Sequence, residues 1–169
     1  MSNELVSLLA NIALTLSVIV AVIFGIAQVR SASKDRRERL TLDTLRSFQT
    51  KEFAGLMHFM HTVKMPASYA EWPAWPKEDQ VDLVHLLQEM ESLGILLAER
   101  LIDINLLDKT LGSFVTTSWE RCKPLITEMR ADGGGPFLAE YFQWMAGQIA
   151  QRMQEKPRKP FYLTRNTAV

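Results

Sequence analysis

The chain has 169 residues with 19 basic and 19 acidic side chains, so its formal net charge is zero, and it has a single cysteine, Cys122. One cysteine excludes an intrachain disulfide and fits a reducing compartment. About 140 residues remain once the apolar N-terminal stretch is set aside, which is the size of one ordinary domain.

The N-terminal stretch, residues 5–29, contains no Asp, Glu, Lys, Arg or His. As a helix rising 1.5 Å per residue it would be about 37 Å long, which is enough to cross a hydrocarbon core of about 30 Å. Apolar residues occupy all of its faces, whereas an ordinary helix of a soluble protein has a single apolar face. It is also too long for a typical signal-peptide core, and the chain starts with an acidic rather than a basic segment. We therefore predict a membrane anchor over residues 1–29.

The charges that follow the anchor predict its orientation. No Lys or Arg precedes the stretch, and basic residues flank the cytoplasmic ends of membrane spans. We expect the N-terminus outside, the rest of the chain in the cytoplasm, and the bacterial inner membrane as the location. A basic collar next to an anionic leaflet predicts contacts with lipid headgroups, although any anchor shows a basic flank. The candidate contacts are Arg30, Lys34, Arg36, Arg37 and Arg39.

Small residues recur every fourth position within the predicted anchor. Such a stripe lets a second helix approach closely, so it predicts self-association of the anchor into a homo-oligomer. Chance is the alternative, because the segment is rich in small residues and the pattern has many false positives. The stripe consists of Ala13, Ser17, Ala21 and Gly25.

Helical periodicity dominates the remaining chain. We predict a basic juxtamembrane helix over residues 30–51, a helical domain over residues 52–155 and a basic extended tail over residues 156–169. Thr50 suits the N-cap of a helix whose inner face contains Phe53, Leu56 and Met60. A proline-rich loop follows, and its aromatic residues either pack back on the domain or contact a partner or the bilayer interface. They are Tyr69, Trp72 and Trp75.

A long helix is predicted over residues 77–101, where Gly94 would permit close packing of another helix. Glu91 falls among apolar helical neighbours, so it should be paired or have a raised pKa. We predict a structural ion pair with Arg130 or a helix-capping role, and keep a catalytic carboxylate as the alternative. The inner face of the helix is predicted to contain Leu83, Leu87, Met90, Gly94, Leu97 and Leu101.

Three more helices complete the prediction. Asp103 is expected to cap a short helix, residues 104–111, that ends at Gly112. The next helix contains Pro124, which should kink it, and Pro136 is expected to open the last one. Together these segments predict an all-α protein, in which a single N-terminal transmembrane helix precedes a cytosolic antiparallel helical bundle. The inner faces are predicted to contain Val115, Trp119, Cys122, Ile126 and Met129, then Leu138, Phe142, Met145 and Ile149.

No motif predicts catalysis or a bound cofactor. His58 and His61 lie three residues apart, but the spacing of a metal site is missing, so we predict no metal. Cys122 falls on a core face, where burial would make it inert. The glycines of residues 133–135 precede a helix without the Lys-Ser/Thr of a phosphate loop. Nucleic-acid binding is not expected either, because residues 66–155 contain 7 basic and 14 acidic side chains.

The chain resembles an uncharacterised bacterial family known only as a domain of unknown function, most clearly over residues 81–149. The resemblance rests on the Glu91–Gly94 spacing, Ile102-Asp103, Trp119, Pro124, Arg130 and the aromatic pair Tyr141-Phe142. It implies an N-terminal span and a cytosolic helical domain, but no activity, ligand or catalytic residue. Family members usually have an acidic residue at the position of Gln143, so the resemblance carries over no role for that carboxylate to this chain.

These features favour a membrane-anchored helical interaction or signalling module over an enzyme. Membrane lipid, a second copy and an unknown protein are the expected partners. Two alternatives remain: a membrane-bound effector or enzyme that uses Glu91 and Arg130, and an accessory subunit of a larger membrane complex.

Overall fold

The computed structural model describes residues 3–164, and the chain divides into two compact units between Arg39 and Leu40. Residues 1–2 of the predicted anchor and 165–169 of the predicted tail lie outside the described residues. Every regular element over residues 3–164 is helical, and no strand occurs there. The predicted all-α class is therefore confirmed.

The first unit consists of most of helix α1, Asn3–Ser47. The segment Leu5–Ser47 of α1 is long and apolar enough to cross a membrane, and none of the most apolar part of this segment is buried within the protein. The hydroxyl groups of Thr15 and Ser17 each donate a hydrogen bond of 2.8 Å to the backbone carbonyl four residues earlier. These polar side chains thus satisfy their donors within the helix, as a lipid environment requires.

The second unit contains the remaining helices. Helix α5 packs against both α3 and α4, and α2 packs against α3. The elements are α2 (Lys51–Thr62), a 3₁₀ helix (Tyr69–Ala74), α3 (Lys77–Ala98), α4 (Ile104–Met129), a π-helical turn (Arg130–Gly134), α5 (Glu140–Glu155) and the short α6 (Phe161–Thr164).

The core lies where α3, α4 and α5 meet, and it follows the predicted helical periodicity. Val115, Cys122, Phe142, Met145 and Ile149 are fully buried, as their spacing predicts. The Phe142 and Trp119 rings pack in a T-shaped arrangement, with ring centroids 5.3 Å apart. On α3 the buried stripe also includes Leu86 and Leu93, whereas Leu87 is half-buried.

Both predicted N-caps are confirmed. Thr50 Oγ1 accepts a hydrogen bond of 3.1 Å from the Phe53 amide at the start of α2. Asp103 Oδ1 accepts from the amides of Asn105 and Leu106 at the start of α4, at 2.8 and 3.3 Å. These caps depend on residues two or three positions apart, so local sequence is sufficient to specify them.

Three predicted helix boundaries are wrong. Gly112 does not end a helix, because α4 runs through it to Met129; a Cβ there would lie 3.3 Å from Ile149 Cγ2, so the glycine allows α5 to approach. Helix α5 begins at Glu140 rather than at Pro136, because Ala139 has a left-handed backbone with φ of 56°. Leu101 lies beyond the end of α3 and is exposed.

The aromatic residues of the proline-rich segment pack onto the domain. This segment forms the 3₁₀ helix, and the Trp72 and Trp75 rings lie 5.5 Å apart between centroids. Trp75 also lies 6.2 Å from the ring of Phe59, which is buried. Gln80 Nε2 donates to the carbonyls of Trp72 and Trp75, at 3.0 and 2.7 Å, and holds the turn against α3.

Candidate functional site

The strongest candidate site in the folded unit is the place where the start of α5 crosses α3. A Cβ added to Gly94 would lie 2.5 Å from the Tyr141 carbonyl oxygen and 2.9 Å from Tyr141 Cβ. Any side chain at position 94 would therefore displace the α5 backbone. The sequence-based expectation that Gly94 permits close helix packing is confirmed.

Glu91 lies one turn before Gly94 on α3 and accepts hydrogen bonds from two backbone amides in the first turn of α5. Its Oε1 accepts from the Tyr141 amide at 3.2 Å, and its Oε2 accepts from the Phe142 amide at 2.9 Å. Helix α5 has no capping side chain of its own, because its N-cap residue is Ala139. A carboxylate from a neighbouring helix thus replaces the missing cap, and its charge is favourable beside the positive end of the helix dipole.

Arg130 holds the other side of the same junction. Its Nε donates to the Leu138 carbonyl at 2.9 Å, and its Nη1 donates to Gln143 Oε1 at 2.7 Å. Its Nη2 is buried and has no hydrogen-bond acceptor among residues 3–164. The side chain therefore ties the π-helical turn to the first turn of α5.

The predicted direct ion pair between Glu91 and Arg130 does not form among the described residues. Each side chain instead binds groups at or just before the start of α5. The Glu91 carboxylate accepts from two of its amides, and the Arg130 guanidinium donates to Leu138 and Gln143. The reason is that backbone donors of α5 compete for the carboxylate, and a helix with no cap of its own leaves them free. Because both oxygens of Glu91 accept hydrogen bonds from amides, this geometry supports a capping role.

The histidines and Cys122 do not form a site comparable to the Glu91 and Arg130 junction. His58, His61 and His85 are exposed, and His85 Nε2 lies 3.6 Å from Glu89 Oε1 within the same helix. The part of the chain that the structure describes contains no cluster of three or more His, Cys, Asp or Glu side chains that could hold a metal ion. Cys122 is fully buried, and this burial raises the pKa of its thiol from 9.0 to about 12. The thiol is therefore protonated at neutral pH and is a poor nucleophile.

In α1 the two predicted surfaces are exposed. The small-residue stripe (Ala13, Ser17, Ala21 and Gly25) lies on the outside of the helix, and the Ser17 hydroxyl is bonded to the Ala13 carbonyl. The basic residues after the apolar part are also exposed, apart from the half-buried Arg37. Lys34 lies 3.8 Å from Glu38 in an exposed pair. Both surfaces are therefore accessible, whether to another helix or to lipid.

Two helix ends are capped by side chains that sequence reasoning missed. Arg121 donates to the carbonyls of Met60 and Val63 at the end of α2. Glu128 Oε2 accepts from the Tyr69 amide at 2.6 Å, at the start of the 3₁₀ helix. Each contact joins residues 58 to 61 positions apart in the chain. No local pattern identifies such pairs, because nothing in either segment specifies the other.

Over the described residues, the fold and this junction define an all-helical protein with one candidate membrane-spanning helix and a domain in which some helix ends are capped by side chains of other helices. The family model described as Domain of unknown function (DUF4760) matches residues 15–149, which is most of the chain. The protein belongs to this family. No curated protein and no solved structure gives a match to the chain.

Proposed function

We propose that this protein is a single-pass membrane protein that presents its helical domain on the cytoplasmic side as a protein-interaction or signalling module. The main observation is the helical segment Leu5–Ser47, which is long and apolar enough to cross a membrane and has none of its most apolar part buried. Twenty-five uncharged positions cost less free energy in lipid than in water. Membrane lipid is thus the first partner.

The proposed orientation rests on the charge difference across the apolar segment. Basic side chains occur only after it, at Arg30, Lys34, Arg36, Arg37 and Arg39. Such residues are retained on the cytoplasmic side, which supports an outside N-terminus and an inner-membrane location. Their exposure also supports contacts with anionic lipid headgroups.

The capping role of Glu91 favours an interaction module over the alternative of an effector or enzyme that uses Glu91 and Arg130. A catalytic carboxylate needs an oxygen that can reach a substrate, whereas both oxygens here accept backbone hydrogen bonds. An accessory subunit of a larger membrane complex is a narrower form of the same proposal. Partners that copurify at fixed stoichiometry would identify that form.

Membrane insertion and orientation are tested together. We expect the full-length protein to remain in membranes after alkaline extraction. We also expect its C-terminal domain to resist protease added to intact spheroplasts and to be digested in inverted vesicles. Recovery of the intact chain in the soluble fraction, or digestion of the domain from outside, would contradict the proposal.

Self-association through the stripe is tested with one pair of variants. Ala21→Leu places a bulky side chain on the stripe, and Ala27→Leu adds the same volume about 120° away around the helix. We expect chemical cross-linking in membranes to give dimers for the native chain and Ala27→Leu, and few for Ala21→Leu. Equal cross-linking of all three proteins would exclude the stripe as the interface. A strictly monomeric protein that also captures no partner would contradict the interaction module.

A further inference from the structure

The C-terminal end of α5, the residues that follow it and the start of α4 line a small, partly open polar cavity of about 220 Å³. Its size is below the range of about 300–1,000 Å³ that is typical of drug-sized ligand sites, so it suits a ligand of a few heavy atoms. Basic side chains outnumber acidic ones in its lining. The basic residues are Lys109, Arg152, Lys156 and Arg158, and the acidic ones are Asp108 and Glu155.

Two buried polar atoms of this lining have no hydrogen-bond partner among residues 3–164. They are Oδ1 of Asp108 and Nε of Arg152, and only one other buried side-chain atom in the described chain shares this property. Asp108 is 7% exposed, so water hydrates it poorly. Arg152 already donates through Nη2 to Asn105 Oδ1, which directs the guanidinium along the lining. A side chain with an unpaired acceptor and a side chain with an unpaired donor therefore line the same cavity.

The Asp108 carboxylate has one nearby cation. Arg158 Nη2 lies 3.4 Å from Asp108 Oδ1 without forming a hydrogen bond to it, and the Arg158 side chain is 39% exposed. Arg158 belongs to the segment after α5, and displacement of its side chain would open the cavity towards Asp108 Oδ1. The remaining charge of the lining would then attract an anion.

We propose that this cavity binds a small phosphate-type oxyanion that carries its own hydroxyl group, such as hydrogen phosphate or a hydroxylated phosphate monoester. The oxyanion would accept from Arg152 Nε and from the surrounding lysines, and its hydroxyl would donate to Asp108 Oδ1. An anion without a proton would instead place an oxygen against the carboxylate, where like charges repel. The site therefore distinguishes hydrogen phosphate from sulfate, because sulfate has no hydroxyl at neutral pH.

The test measures anion affinity of the full-length protein in detergent micelles by titration calorimetry and melting temperature, with ionic strength balanced by chloride. We expect inorganic phosphate to bind about 10- to 100-fold more tightly than sulfate, the range that one charge-assisted hydrogen bond provides. Glycerol 3-phosphate forms a second arm. Tighter binding than inorganic phosphate assigns the site to a monoester, and weaker binding assigns it to free phosphate. An equal response to phosphate, sulfate and chloride would overturn the proposal.

Two substitutions test which side chains bind the anion and which one distinguishes phosphate from sulfate. Asp108→Asn replaces the carboxylate with an amide that can donate to sulfate, so we expect the preference for phosphate to disappear or reverse. The matched Asp132→Asn, at an exposed carboxylate, should keep the preference. Arg152→Gln should weaken both anions about equally, whereas exposed Arg100→Gln should not. If Asp108→Asn does not fold, the phosphate-to-sulfate ratio of the native chain and Arg152→Gln still decide the proposal. An unchanged ratio in folded Asp108→Asn would contradict it.

Discussion

The two units of this protein place their apolar residues in opposite ways. In the first unit, the apolar side chains of the candidate span are exposed on all sides of one helix, as at Val20 and Ile23. In the second unit, side chains of the same types are fully buried between helices, as at Leu86 and Ile149. A span needs only length and apolar composition, because lipid solvates every face alike. A folded domain needs each helix end and each contact to be specified separately.

The largest expected effect is the loss of a central core side chain. Phe142→Ala removes a fully buried ring that packs against Trp119. It should lower the free energy of unfolding by about 3–5 kcal/mol in chemical denaturation. Phe137 is 74% exposed, so Phe137→Ala should change stability by less than about 0.5 kcal/mol. Similar losses from both substitutions would show that the core is not centred on α5.

The corresponding change in the candidate span should affect insertion rather than folding. Val20→Lys places a charge in the middle of the apolar segment and should make membrane insertion less favourable by about 2.5–3.5 kcal/mol. The measurement is the inserted fraction in a membrane-insertion assay. Val81→Lys, at an exposed position of α3, should leave insertion unchanged. Equal insertion of the native chain and Val20→Lys would argue that this helix does not cross the bilayer.

The close approach of α5 to α3 predicts that alanine substitutions at two glycines change the unfolding free energy in opposite directions. Gly94→Ala would bring a Cβ to 2.5 Å from the Tyr141 carbonyl oxygen, so we expect a loss of about 1–3 kcal/mol in unfolding free energy. Gly55 lies in α2, and a Cβ added there would meet no neighbouring atom within 4 Å, so Gly55→Ala should stabilise by about 0.5–1 kcal/mol. Two stabilising substitutions would show that the junction is looser than described.

The cap on α5 predicts a smaller loss. Glu91→Gln keeps one acceptor oxygen but removes the charge and the second acceptor, which should cost about 1–2 kcal/mol in unfolding free energy. Glu89→Gln alters only an exposed contact with His85 and should have almost no effect. If Glu91→Gln abolished a cellular phenotype while the melting temperature stayed unchanged, the effector or enzyme alternative would replace the capping role.

The smallest effect on stability is expected from ionisation of Cys122. Its pKa is raised to about 12 by burial, so alkylation of the folded protein at pH 8 should be at least about a thousandfold slower than after unfolding. The protonated thiol adds no pH dependence to stability below pH 9. As the pH rises from 9 towards 12, the unfolded chain ionises first and stability falls. Rapid labelling of the folded protein would indicate local opening of the core.

Local sequence was sufficient for many features of the fold. The N-caps Thr50 and Asp103 and the buried stripe from Val115 to Ile126 were predictable, because capping and helical periodicity act over a few residues. The close contact at Gly94 was also predictable, since a glycine on an apolar helix face leaves space for a backbone. The start of α5 was not predictable. Pro136 is a local start signal, but the left-handed backbone of Ala139 makes the helix begin only at Glu140.

The candidate site divides in the same way. Sequence predicted that Glu91, in its apolar setting, either pairs with Arg130 or caps a helix; the two side chains do not pair, and Glu91 caps α5. Both bind the start of α5, at backbone or side-chain groups from 8 to 51 positions away in the chain. Arg121 and Glu128 escaped notice for the same reason, since their partners belong to the distant α2 and 3₁₀ segments.

Sequence by itself determined that the chain is helical, that its first helix can cross a membrane, and which faces of the later helices are apolar. These properties depend on composition and on periods of a few residues. Only the tertiary structure decided that a carboxylate of α3 caps α5, that Gly94 lies beneath the α5 backbone, and that Asp108 and Arg152 share one cavity. Polar groups find partners through the packing of whole helices, and that packing brings together residues from distant parts of the chain.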